Sequence, residues 1–241
     1  MERIRTGVEG LDEILSGGFP KESITLVSGP PGSGKSIFCY QFINQGVNEG
    51  KRCLLVTLDR KVDKIITQAE ELGFPFRASV DSGMLKILYV DTNKRSAYDT
   101  ILREILNGGY ERIVIDSITP LIEMPVHLKD TVSSDGIDFI DPAEFNNLDT
   151  DITLKRFHLK YIIDAIESAG GTALITSEAP FDSSGVSRDT ISEFLADGVI
   201  FLNYDPAMDR RKLTVIKMRN TPHTLKTQSI GIGEGGLRLL R

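Results

Sequence analysis

Short, continuously apolar runs alternate along this chain with stretches whose apolar positions recur every three or four residues. The first pattern is that of buried strands and the second that of helices with one inward face. Strands are expected at 23–28, 52–58, 85–90, 112–116 and 172–177. Between them, helices are expected at 37–43, 62–72, 97–106 and 153–169. In the second of these, Val62, Ile65, Ile66, Ala69 and Leu72 keep helical spacing, and Gly73 stops the element. Gly108-Gly109 and Gly170-Gly171 close the next two. Two late runs, 198–203 and 212–218, flank the turn residues Asp205-Pro206 and read as an antiparallel pair. Strands alternating with helices predict an α/β fold, a mostly parallel sheet flanked by helices on both faces.

The first strand runs into Gly29-Pro30-Pro31-Gly32-Ser33-Gly34-Lys35-Ser36, a full match to the phosphate-loop pattern G-x-x-x-x-G-K-[ST]. Glycines let successive main-chain N–H groups converge on one spot, and the following helix adds the positive end of its dipole. Lys35 is then expected to bridge the β- and γ-phosphates, and Ser36 to ligate Mg²⁺. Asp116 ends an apolar strand about eighty residues later and is expected to hold the Mg²⁺ water shell beside Ser36. Asp59 follows the strand at 52–58. It reads either as the group that orients or deprotonates the attacking water, or as a surface strand cap. Asn93-Lys94-Arg95-Ser96 fails the guanine-reading N-K-x-D pattern, so the expected ligand is ATP with Mg²⁺.

Composition narrows the setting without changing this chemistry. The chain has 241 residues, room for one large domain spanning 1–241. Its formal net charge is −6, so no global basic field points to nucleic acid. No apolar run is long enough to span a bilayer, and the residues around Arg3 and Arg5 make no signal segment. Cys39 and Cys53 fall in an expected helix and strand and read as reduced core residues. A cytoplasmic protein without a membrane partner is expected.

Residues 130–151 break the rhythm. This segment carries seven acids (Asp130, Asp135, Asp138, Asp141, Glu144, Asp149, Asp151) and no Lys or Arg. It reads as an acidic loop insertion, either solvated or a surface for a protein partner. Its spacing does not fit the twelve-residue calcium loop.

The chain resembles the KaiC-type branch of the RecA superfamily, with archaeal RadA paralogues close by. The resemblance rests on Arg5-Thr6-Gly7-Val8-Glu9-Gly10-Leu11-Asp12-Glu13-Ile14, Gly17-Gly18-Phe19-Pro20, the phosphate loop, Val56-Thr57-Leu58-Asp59-Arg60, Asp116-Ser117-Ile118-Thr119 and Lys217-Met218-Arg219-Asn220-Thr221-Pro222-His223. It implies a RecA-like P-loop NTPase core and a hexameric ring with ATP at each subunit boundary. Lys217, Arg219 and His223 would then reach the γ-phosphate held by a neighbouring subunit, as an arginine finger does. Without a neighbour they would be a polar strand edge of solvated charges.

Three departures qualify what carries over. Asp59-Arg60 stands where the family has two glutamates. Aspartate is one methylene shorter, and a ~1 Å misplacement can cost ~100-fold in rate. Arg60 is expected to favour the charged, weakly basic form of Asp59, so hydrolysis is expected to be slow. There is one P-loop, and Glu193-Phe194 replaces the residue pair that the two-domain clock protein phosphorylates, so no kinase activity is implied. Asn220 replaces a family glycine and tolerates a left-handed backbone.

In RecA-type rings two loops face the pore and bind DNA. Here one is the acidic segment, and the other, at 178–189, holds one Arg against three acids. That balance disfavours a phosphodiester backbone, although Lys155-Arg156 and Arg210-Arg211-Lys212 supply local positive charge. The leading expectation is a slow Mg–ATP hydrolase acting as a ring-forming regulatory or scaffold switch. The alternatives are a RadA-paralogue accessory factor in recombination and a non-hydrolysing, ATP-dependent assembly module.

Overall fold

A computed structural model describes residues 1–94, 96–122, 150–179 and 185–240. Residues 130–149 of the acidic segment and 180–184 of the second loop lie outside the described residues. A two-stranded ribbon, β1 (Arg3–Ile4) with β2 (Phe19–Pro20), brackets the short helix α1 (Leu11–Ile14). The main sheet follows with β3 (Ile24–Gly29), β4 (Cys53–Thr57), β5 (Leu85–Tyr89), β6 (Arg112–Asp116) and β7 (Thr172–Glu178). It is completed by β8 (Gly198–Asp205), β9 (Arg210–Met218), β10 (Gln228–Gly233) and β11 (Gly236–Leu239). The helices are α2 (Lys35–Asn48), α3 (Val62–Glu71), α4 (Phe76–Asp81), α5 (Ala97–Asn107), α6 (Thr119–Ile122), α7 (Thr150–Ala169) and α8 (Ser192–Leu195). The helix expected at 153–169 therefore starts earlier, at Thr150, and takes in the end of the acidic segment.

The nine strands lie in the order β11-β10-β9-β8-β3-β7-β6-β4-β5. From β8 to β5 every pairing is parallel; β9, β10 and β11 add on antiparallel. The mostly parallel sheet and the antiparallel late pair thus stand as expected, and β10 and β11 extend that pair. The inner parallel strands β3, β4, β6 and β7 are buried along almost their whole length, as strands covered on both faces are, whereas the edge strand β5 leaves Lys86 and Tyr89 exposed. Alternate residues divide between two cores. Cys53 and Leu55 point toward Phe38, Phe42 and Ile66, whereas Leu54 and Val56 point toward Ile101, Ile162 and Ile166. α2 and α3 therefore cover one face, and α5 and α7 the other.

Two buried polar side chains hold α2 in place. Gln41 donates through Nε2 to the carbonyls of Gly7, Gly235 and Leu237 and accepts from the Leu237 N–H at 2.8 Å. Arg112, 1% exposed, donates to the carbonyls of Arg5 and Phe42, pairs with Glu49 at 2.6 Å and stacks over the Phe42 ring.

On the other face His158 of α7 lies buried against Tyr98, with ring centroids 5.1 Å apart. Its ring nitrogens have no partner of good hydrogen-bond geometry among the described residues. Burial pushes the imidazole down to about 4, with the Ile122 backbone opposing. A folded-state value below the unfolded one means that stability is whole above about 6.5 and is lost as pH falls toward 4. Between pH 7 and 5 this amounts to about 2 kcal/mol. Urea denaturation at the two pH values is expected to show that loss, and His158→Leu to remove most of it. An unchanged pH slope in the variant would place the titration elsewhere.

Candidate functional site

β3 occupies the centre of the sheet between β8 and β7, and its C-terminal end opens into the loop 29–36. A Cβ on Gly29 would come within 2.0 Å of the Leu202 carbonyl, so only glycine lets β3 leave the sheet here. Gly34, at φ 107°, starts α2 without a side-chain cap, and the first turn of α2 holds no acid. Its leading N–H groups therefore keep their capacity for an anion. Pro30 and Ser33 are buried, Pro31 and Gly32 are exposed, and Lys35 and Ser36 are half-buried in the first turn of α2. Ser33 Oγ is a buried hydroxyl without a described partner. Lys35 Nζ donates to the carbonyls of Gly29 at 2.7 Å and Pro30 at 3.1 Å. Burial pushes its ammonium below the usual range, opposed by the charges of Asp116 and Glu178.

Three carboxylates gather at the same end of the sheet. Asp116 ends β6 in register with Thr57 of β4, and Asp59 follows two residues after Thr57. Asp116 Oδ1 accepts from Thr176 Oγ1 at 2.6 Å, which fixes its orientation. Glu178 ends β7 in register with Gly29, between the phosphate-loop strand and β6. Glu178 is an acid closing a buried strand, the same signal that singles out Asp116, but sequence reasoning assigned it no role. Its main-chain carbonyl accepts from Arg188 N, and its carboxylate pairs with Arg188 at 3.3 Å. Ser28 Oγ meanwhile donates to the Val186 carbonyl. The latter part of the second loop is thereby tied across the ends of β3 and β7.

The expected effect of Arg60 on Asp59 is present but outweighed. Asp59 is raised above the usual carboxylate range by partial burial, then by Asp116 and Glu178, with Arg60 opposing least. The guanidinium of Arg60 instead donates to Gln68 Oε1 of α3 at 2.6 Å.

Lys217, Arg219 and His223 are not brought to this end. β9 runs antiparallel to β8, so Lys217 pairs with Val199, and Met218 with Gly198, near the opposite end of the sheet. Lys217 Nζ donates to the carbonyls of Glu193, Phe194 and Ala196 at the end of α8. Burial and Arg219 push its ammonium down. Arg219 pairs with Asp197 at 3.1 Å, and His223 Nδ1 meets the Thr221 carbonyl. These residues are therefore engaged within their own subunit, Lys217 and His223 half-buried and Arg219 exposed. Asn220 adopts φ 54°, the left-handed conformation expected of it.

The arrangement suits a polyphosphate. Uncapped helix amides and an ammonium converge at the loop, and acids stand across from them. No cluster of three or more His, Cys, Asp or Glu among the described residues could hold a metal by itself. Ser36 and Asp116 are the residues that could hold a Mg²⁺ ion together with phosphate oxygens, the usual pattern for that ion. No helix among the described residues is long and apolar enough to cross a membrane.

Known proteins resemble the chain over nearly its whole length. Residues 4–241 match the family described as "ATPase: KaiC". A UPF0273 protein of Methanocaldococcus jannaschii is 31% identical, over 98% of this chain and 96% of its own. The circadian clock oscillator protein KaiC of Synechococcus elongatus is 27% identical over 98% of this chain, which spans 44% of that protein. The crystal structure of a KaiC-like protein from Pyrococcus horikoshii superposes with a TM-score of 0.79 at 27% identity, covering 100% of this chain and 99% of the other.

Proposed function

We propose that this chain, which belongs to the KaiC family of ATPases, binds Mg–ATP at the loop 29–36, hydrolyses it slowly, and uses the bound nucleotide as a ring-forming regulatory or scaffold switch. The observation that carries the reading is the uncapped start of α2 beside Lys35, opposite Asp116. Gly29, Pro30, Pro31, Gly32, Ser33 and Gly34 shape the cradle. Lys35 neutralises charge on the transferring phosphoryl group, and Ser36 with Asp116 holds Mg²⁺. The ion would supply neutralisation of the charge that builds on the polyphosphate. Asp59 accepts the proton of the attacking water as its oxygen bonds to the γ-phosphorus and the bond to ADP breaks. Its raised affinity for a proton favours that role.

The far placement of Lys217, Arg219 and His223 supports completion of the site by a second subunit. A ring sets the far end of one sheet against the phosphate loop of the next. Lys217 would exchange three carbonyls of α8 for phosphate oxygens. We read the whole chain as one domain of this kind, with the acidic segment 130–151 serving a protein partner.

Light scattering after size exclusion, with and without Mg–ATP, is expected to show a nucleotide-dependent oligomer, with slow phosphate release in the same fractions. No nucleotide affinity at all would end the proposal. An oligomer without phosphate release would instead support the assembly-module alternative. Salt-sensitive binding of labelled DNA would support the recombination alternative.

A further inference from the structure

Arg60 sits one residue after Asp59 yet bonds neither that carboxylate nor any other described acid. Its main chain is pinned to the end of β4, where Arg60 N donates to Thr57 Oγ1 at 3.3 Å. Its guanidinium donates to Gln68 Oε1 at 2.6 Å, and the Tyr40 hydroxyl donates to the same oxygen at 3.4 Å. Tyr40 follows Ser36 by four residues on α2, so the two share one helix face a single turn, about 5.4 Å, apart. Arg60 is exposed, and an amide offers its charge no neutralising partner. The cation is thus tied through Gln68 to Tyr40, a side chain that also feels the charge of Asp116 in the site that the proposed function assigns to phosphate.

We propose that Arg60 is a phosphate contact supplied by the same subunit, and that Gln68 is its positioning residue. With ATP bound, the guanidinium leaves the amide oxygen for the terminal phosphate, an exchange that favours the fork geometry of arginine. Gln68 keeps the side chain from collapsing onto Asp59 beforehand. The chain thereby distinguishes a triphosphate from a diphosphate without a neighbouring subunit. The inference rests on the reading of loop 29–36 as an ATP site.

Calorimetric titration of the full chain with ATPγS and with ADP, each with Mg²⁺, tests it. Arg60→Gln is expected to narrow the ratio of the two affinities roughly tenfold, the worth of one charged hydrogen bond. ADP affinity should stay within about twofold in that variant. Gln68→Leu is expected to narrow the ratio about threefold, because Arg60 then pairs with Asp59. A merely structural Gln68 would leave the ratio alone. A ratio unchanged in Arg60→Gln would overturn the inference and leave the proposed function standing. Failure of the unaltered chain to bind ATPγS would overturn both. Since Arg60 is exposed, matching thermal melts should show that its variant is folded.

Discussion

Replacing Lys35 with alanine is expected to lower ATP-dependent phosphate release at least ~100-fold, the loss typical of removing one donor aimed at developing charge. The ammonium is the cation built into the start of α2. Its described bonds go to two carbonyls of its own loop, Gly29 and Pro30. Those bonds have a consequence for the control. The Gly29 and Pro30 carbonyls keep main-chain donors in Ala179 and Ser33, and no carboxylate partner is orphaned, so stability should change by less than about 1 kcal/mol. The substitution therefore separates chemistry from folding. Phosphate release at saturating Mg–ATP, read beside a thermal melt, checks both halves. A variant that keeps a third or more of the original rate would remove Lys35 from the phosphate site.

Gln41→Leu is expected to have the largest effect on stability, about 3 kcal/mol or more. Leucine fills most of the space but neither donates nor accepts. The substitution strands the Leu237 N–H and the carbonyls of Gly7, Gly235 and Leu237, all met by one amide. Each buried group left unmet costs about 1–3 kcal/mol, softened where the hairpin can admit water. The neighbouring backbone has no slack, since a Cβ on Gly236 would come within 2.5 Å of the Gln41 side chain. Urea denaturation should show the midpoint falling. A loss under about 1 kcal/mol would mean that the β10–β11 hairpin is held by its apolar contacts instead.

Repetition made most of the architecture legible in the chain. The inner parallel strands β3, β4, β6 and β7 are runs buried on both faces, and each of α3 and α5 shows a clear apolar stripe, so period alone separated them. β10 escaped because Gly231 and Gly233 interrupt its alternation, and β1 and β2 are too short to carry any period. The phosphate loop and Asp116 were legible because local chemistry dictates them. Glu178 was not given a role, because its closeness to Gly29 comes from the order of strands, which no local pattern encodes. The same holds for Arg60. Sequence adjacency suggested a pair with Asp59, whereas α3 places Gln68 within reach of the guanidinium. Lys217 likewise meets its three carbonyls only because β9 runs back along β8 beside α8.

The amide at position 41 also sets an order of events during synthesis. Gln41 and Leu237 stand 196 residues apart. At ~5–20 residues per second, the ribosome delivers the second roughly 10–40 s after the first. Until then the helix that carries the phosphate loop has a polar side chain with no dry place to go. That helix gains its tie to β10 and β11 only once the hairpin has been made. Nucleotide is thus expected to bind a nascent chain only after the hairpin has emerged.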